Sequence, residues 1–193
     1  MSRAYWVKLS SSVSETINAN DKATHKIDLE AVVPEGEMSE ILRGALEEAG
    51  WEKSDNKDNA YEKNVEGVTL VWDLEEMTVE AQVEGSETVS RNIAVEGRGY
   101  DRGTAKREAE RMLQQEEESA RDAIQSETDR LQQELSKKLD ENEQQRVREI
   151  NGVLQRTYAE GLKRKAGRMG NVTSINESTS PEGEYQLTIT IAE

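Results

Sequence analysis

The side chains that could carry chemistry are few in this chain. His25 is the single histidine and there is no cysteine. A zinc site would therefore have to be built from carboxylates around one imidazole, and a histidine at a strand end is the simpler reading. The composition allows a Ser-His-Asp triad, yet no Gly-x-Ser-x-Gly elbow occurs, and the serine-rich run at 10–14 has no helix behind it to supply an oxyanion hole. Acid pairs such as Glu47-Glu48 and Glu75-Glu76 have the residue type for acid-base work or calcium binding. No twelve-residue loop with alternating oxygen ligands surrounds them, so they read as solvated charges. No catalytic residue, metal site or cofactor is expected.

A second candidate is the glycine-rich segment 95–106, in which Gly97, Gly99 and Gly103 separate a strand-like run from a helix-like one. Phosphate loops occupy that context, because glycine lets backbone N–H groups approach an anion at a helix N-terminus. The spacing matches neither the dinucleotide nor the P-loop pattern. A flexible joint is the expectation, with an anion- or nucleotide-binding loop as the weaker alternative.

Charge gives the strongest functional signal. The 193 residues carry a net charge of -15, which repels phosphate backbones and anionic membranes, so neither is an expected partner. From 28 to 87 there are 18 acidic and four basic residues, a local balance of -14. From 145 to 170 the sign reverses to +5, with seven basic residues against Glu149 and Glu160. One reading is a solvated helix whose cations offset the helix dipole. The other is a docking patch for an acidic partner, or for this chain's own acidic part, made by Arg146, Arg148, Arg156, Tyr158, Lys163, Arg164 and Lys165. The lack of cysteine fits a reducing compartment. No apolar leader or membrane-length apolar run is present, so the expected location is the cytoplasm.

These residues must be positioned by the elements that the patterning predicts. Residues 4–9 and 25–33 read as strands joined across the polar stretch 10–21 in a wide hairpin. After Pro34, apolar residues Met38, Ile41, Leu42, Ala45, Leu46 and Ala49 recur at helical spacing, and Gly50 supplies a left-handed stop. Strands follow at 60–64, 68–73, 77–83 and 88–95, and short turns between them argue for an antiparallel meander. From 104 to 151 there is neither glycine nor proline. A thin apolar stripe runs from Ala109 to Leu139, lapses over 140–145 and resumes from Val147 to Leu162, as in a coiled-coil seam. Two structures satisfy it, a helical hairpin turning near 140–144 or one continuous helix. The hairpin is preferred because it returns the chain to the sheet. Gly167 and Gly170 stop the helix, and strands at 171–175 and 185–191, joined by a turn at 178–183, close the sheet.

The run Val153-Leu154-Gln155-Arg156-Thr157-Tyr158-Ala159, the basic residues after it, Gly170, Glu182-Gly183 and Leu187-Thr188-Ile189 resemble the C-termini of a cyanobacterial and plastid family of small proteins of unknown function. That family shares the Gln-Arg, the Tyr-Ala and the glycine closing the helix; here Thr157 intrudes between the first two. The opening Ser2-Arg3-Ala4-Tyr5-Trp6-Val7-Lys8-Leu9-Ser10-Ser11-Ser12-Val13 is similar to accessory domains of FtsH ternary systems, bacterial gene clusters centred on AAA+ ATPases. The resemblance implies a non-catalytic partner of an AAA+ machine and offers no catalytic residue to carry over.

The sequence therefore predicts an α+β fold, an antiparallel sheet with a covering helix and an inserted long helical coiled-coil hairpin. Its parts are a sheet domain over 1–100, the coil over 101–166 and a terminal hairpin over 167–193 completing the sheet. The expected function is that of an accessory or adaptor protein acting through protein contacts, with a homo-oligomer assembled through the coil as the alternative.

Overall fold

The computed structural model describes residues 4–180 and 185–192. In chain order its elements are β1 (Tyr5–Lys26), α1 (Glu35–Glu48), β2 (Glu52–Lys53), β3 (Ala60–Val65), β4 (Val68–Asp73), β5 (Thr78–Gly99), α2 (Arg102–Glu141), α3 (Glu143–Met169), β6 (Asn171–Thr179) and β7 (Tyr185–Ala192). The fold is α+β, as the patterning predicts. Five strands form a sheet in the order β1-β5-β4-β3-β2, and β6 and β7 form a second sheet by themselves. Among the described residues no helix is long and apolar enough to cross a membrane. The chain divides into two units, one from Met1–Asp21 with Val83–Lys138, the other from Lys22–Gln82 with Leu139–Glu193.

In the second unit the local signals act as the sequence reading expects. α1 buries Met38, Ile41, Leu42, Ala45 and Leu46 on one face. It ends at Gly50, with φ of 77°, where the Gly50 N–H donates to the Glu47 carbonyl and the Trp51 N–H to that of Leu46. This crossed pair satisfies carbonyls that the helix end would otherwise leave bare. β3 and β4 are joined by two residues, Glu66 and Gly67, both with positive φ, so the turn's twist matches that of the strands and sets Val65 opposite Val68. The interior is large and apolar. Leu42, Leu46, Val68, Leu70, Trp72 and Val79 are fully buried, and Trp51 meets Trp72 edge to face with ring centres 5.7 Å apart, a geometry that aromatic quadrupoles favour.

The first unit is a long two-stranded ribbon with one helix on it. The expected hairpin of 4–9 with 25–33 does not form; instead 22 residues run as β1, and the expected strands 77–83 and 88–95 are likewise one strand, β5. Cross-strand contacts fall in antiparallel order: Trp6 lies against Arg98, Lys8 is paired with Glu96 at 3.9 Å, and the hydroxyls of Thr16 and Thr88 are 3.2 Å apart. The stretch 10–21 looked like a loop because its outward positions, Ser10, Ser12, Ser14, Thr16, Asn18 and Asn20, are small and polar. Its inward positions still include Val13, Ile17 and Ala19, which is the period-2 alternation of a strand. Residues 27–33 leave the sheet, and Leu29, Val32 and Val33 pack instead with Met38, Ile41 and Tyr158.

The apolar stripe of α2 faces this ribbon. Ala120, Met112 and Leu113 pack with Ile93, Val95, Leu9 and Val13. The glycine segment is a tight junction here, not the expected flexible joint. A β-carbon on Gly97 would lie 2.3 Å from both the Ala105 carbonyl oxygen and the Ala109 nitrogen, and one on Gly99 would lie 2.4 Å from the Ala105 nitrogen. Glycine is needed because the two backbones touch. Asp101 caps α2, its carboxylate accepting from the Thr104 N–H at 2.8 Å and the Thr104 hydroxyl at 3.0 Å, which satisfies a donor the first turn leaves free.

Helix α2 gives way to α3 at Asn142, inside the expected interval 140–144, and Asn142 itself stays in the right-handed helical region at φ -84° and ψ -4°. One further expectation changes at the C-terminal end. The terminal strands do not complete the main sheet, since β6 and β7 pair only with each other among the described residues. Gly167 lies inside α3, and Gly170 ends it. A β-carbon on Gly170 would meet Ile191 Cγ2 at 2.6 Å. Of the turn expected at 178–183, and of the residues carrying the resemblances, Ser2, Arg3, Pro181, Glu182 and Gly183 lie outside the described residues.

Candidate functional site

The sign reversal in the sequence lies on α3, and within the second unit its seven candidate residues have different fates. Arg146 is 3% exposed and donates through Nη1 to the Leu139 carbonyl, so it ties the chain across the break at Asn142. Burial pushes its guanidinium pKa down, opposed by the nearby Glu143 and Asp140 carboxylates. Asn142 joins it by donating from Nδ2 to the Val65 carbonyl at 3.4 Å. A buried cation that holds a backbone carbonyl is a structural tie, which corrects its expected place in a docking patch.

Tyr158 is also partly structural. Its ring packs on the α1 cluster, and its hydroxyl accepts from the Glu30 N–H at 3.0 Å. One turn on, Gly161 lets Met38 and Val32 approach, since a β-carbon there would lie 3.2 Å from the Met38 sulfur. Lys163 pairs with Glu177 at 2.5 Å, and Tyr185 donates to the other oxygen of Glu177 at 2.9 Å. The Lys163 ammonium, then the Tyr185 hydroxyl, hold the Glu177 carboxyl below its ordinary pKa, and Glu177 in turn raises that of Lys163. Burial, then the Glu177 charge, raises the Tyr185 phenol. Arg164 pairs with Glu160 one turn back at 3.2 Å. Arg148, Arg156 and Lys165 are exposed.

Three of the seven meet in one place. Arg156, Lys163 and Arg164 line a cleft of about 660 Å³ between α1, α3 and the β6–β7 hairpin, whereas Arg148 and Lys165 lie outside it. Two rows of residues at four-residue spacing form its walls: Glu40, Gly44 and Glu48 on α1, and Gly152, Arg156, Glu160 and Arg164 on α3. Four-residue spacing puts each row on one helix face. A β-carbon added at Gly44 or at Gly152 would meet nothing within 4 Å, so both glycines face open space.

The sequence reading found the basic wall and missed the acidic one. Glu40 was not singled out in an acidic region where every carboxylate looked alike, and Glu48 was read only as a solvated member of the pair Glu47-Glu48; the signal that could have joined them is the Glu-x-x-x-Gly-x-x-x-Glu spacing, matched by Gly152 and Arg156 on α3. Glu160 and Arg164 are paired with each other, as are Glu177 and Lys163. Glu40, Glu48 and Arg156 have no ion pair among the described residues. The walls therefore present carboxylates on one side and a guanidinium on the other, an arrangement suited to holding a chain segment of mixed charge.

Of the other sites considered from sequence, Glu48 lines the cleft, whereas His25, Glu47, Glu75 and Glu76 do not. His25 is half-buried on β1. Glu47 accepts from the Tyr61 hydroxyl at 3.0 Å, and Glu75 from Asn59 Nδ2 at 2.8 Å. Among the described residues, no three histidine or carboxylate side chains gather to hold a metal ion.

A family model described as FtsH ternary system domain X5 matches residues 1–192 of the chain. No curated protein and no solved structure matches it.

Proposed function

The chain belongs to the FtsH ternary system domain X5 family, and from that premise we propose that it is a non-catalytic accessory subunit which engages the AAA+ ATPase of such a system through the α1/α3 cleft. The family's description places the chain in a multi-component system. The observation that carries the rest is the cleft, whose facing walls offer Glu40 and Glu48 against Arg156 with no ion pair among the described residues. Exposed charges of opposite sign on two rigid helices choose a partner's register more than they add affinity. Arg148 and Lys165, exposed on the same helix, extend the positive surface and favour the encounter of an acidic segment. The work assigned to the chain is binding and positioning, with cytoplasmic location following from an ATPase partner there.

The test is titration of the purified ATPase of the same system with the wild-type chain and with Arg156→Glu, at low and at physiological salt. Arg156 is exposed, so the variant keeps its melting temperature. Loss of complementarity at one contact weakens affinity about tenfold, chiefly through the association rate, and the difference shrinks as salt rises. Unchanged affinity in Arg156→Glu removes the cleft from the interface. No binding by the wild type removes the ATPase as its partner.

A further inference from the structure

We propose that the free edge of β1 is a self-association surface, on which a second copy of this chain adds its own β1 antiparallel, so that the two β1–β5 ribbons become four adjacent strands of one continuous sheet.

Four observations within the first unit lead there. β1 ends the strand order of its sheet, so among the described residues its outer side has no strand neighbour. Long bare edges are templates for further pairing, and proteins ordinarily blunt them with charge, proline or bulges. From 5 to 20, β1 has no proline or glycine and only two charged residues, Lys8 and Glu15. Beyond its pairing with β4, which stops at Gln82, β5 is defended differently: residues 83–99 carry Glu84, Glu87, Arg91, Glu96 and Arg98 with three glycines. The apolar cover is likewise incomplete on the β1 side. Ile93 and Val95 of β5 are buried, while Val7, Leu9 and Val13 of β1 and Met112 and Leu113 of α2 are half-buried.

The outward groups of the edge can be identified. Gln132 Nε2 donates to the Asn20 carbonyl at 2.9 Å, which places the backbone groups of even-numbered residues on the side away from β5, since successive residues of a strand point their N–H and C=O groups in opposite directions. The close hydroxyls of Thr16 and Thr88 agree, because facing side chains approach most closely where the two residues do not exchange backbone bonds. Gln132 occupies one carbonyl at the end of the stretch.

The second copy is the occupant because β1 is complementary to itself. When Val13 is placed opposite the partner's Val13, Leu9 faces the partner's Ile17 and Val7 faces the partner's Ala19, so apolar inward positions meet one another on the face that carries α2. On the outer face Ser12 meets the partner's Ser14, Thr16 the partner's Ser10, and Lys8 the partner's Asn18. No like charges oppose each other over this span, and even-numbered residues exchange the backbone bonds. A two-fold axis through Val13 generates every pair twice, as a closed dimer requires.

The experiment uses the full chain. Light scattering and sedimentation are expected to give two chains per particle for the wild type. Ser12 and Ser14 are exposed and outward, so Ser12→Lys with Ser14→Lys keeps the circular dichroism spectrum while setting lysines opposite lysines, which raises the dissociation constant at least about tenfold. Register is read separately with Val13→Cys in this cysteine-free chain. The two β-carbons would lie about 4.5–5.5 Å apart in a non-bonded pair, so mild oxidation links two chains. Ser10→Cys, whose counterpart is displaced along the strand, should not link. A monomeric wild type, a dimer indifferent to the two lysines, or Ser10→Cys linking as well as Val13→Cys would each overturn the proposal.

Discussion

The two units build interiors of opposite kinds, although one strand, β5, contributes to both. Around β4 the interior is bulk: Trp72, Leu70, Leu42 and Leu46 are each 0–2% exposed and fill space between elements with large side chains. Between the ribbon and α2 the interior is close approach. Ala105 and Ala109 are fully buried, and Gly97 and Gly99 bring the strand backbone against that of the helix. A core of bulk resists by the contacts that each large side chain makes, while one of small residues depends on the absence of atoms. Two strands and a helix also bury less than a multi-stranded sheet with a covering helix, so the first unit is the one that profits from another strand.

The largest effect is expected in the bulk interior. Trp72→Ala deletes a fully buried ring and its edge contact with Trp51, at a cost of about 3–5 kcal/mol in urea unfolding. A loss below that of an ordinary surface change would mean that this interior is not the chain's main source of stability.

Next comes the close-approach interior. Gly97→Ala adds one methyl group where backbone atoms already lie 2.3 Å from its position, and is expected to cost about 1–3 kcal/mol by forcing α2 off the ribbon. Near-neutral behaviour would break the comparison, since it would show the junction to be loose.

A smaller effect separates the units by acid. Burial alone would raise the Asp73 carboxyl pKa, but Lys57 at 2.5 Å and the N–H groups of Glu76 and Glu75 more than offset it, and the folded value lies below the ordinary one. A lowered folded value contributes stability that is present above the unfolded carboxylate value, about 3.9, and lost as pH falls through the folded value. Asp73→Asn should therefore flatten the acid limb of the stability profile in urea unfolding from about pH 5 downwards. An unchanged limb assigns the acid sensitivity to other carboxylates.

The smallest effect has the opposite sign. Gly44 lies inside α1, faces the cleft and has nothing within 4 Å of an added β-carbon, so Gly44→Ala should stabilise the chain by about 0.5–1 kcal/mol through helix propensity. The same methyl group narrows the cleft. Higher stability with weaker ATPase binding would sharpen the contrast between a glycine kept for packing, at 97, and one kept for access, at 44.

Much of this molecule was legible one element at a time. The four-residue spacing from Met38 to Ala49 and the stop at Gly50 specify α1 with its cap, the pair Glu66-Gly67 between two β-rich runs permits a tight hairpin, and the glycine- and proline-free stretch from 104 specifies a long helical insertion. The basic segment on α3 and the family similarity of the N-terminal residues were legible too. All of these depend on interactions within a few residues, whose energetics travel with the local sequence. Other features depended on which surfaces meet. Polar outward residues hid β1 because period-2 alternation shows only once the inward face is known; the pairing of β1 with β5 joins residues some seventy positions apart; and the β6–β7 hairpin could have joined the sheet on pattern alone. The burial of Arg146, the contact that demands Gly97 and the facing of Glu40 and Glu48 with Arg156 across a cleft were decided by tertiary structure, because each is a relation between two elements that neither element's sequence contains.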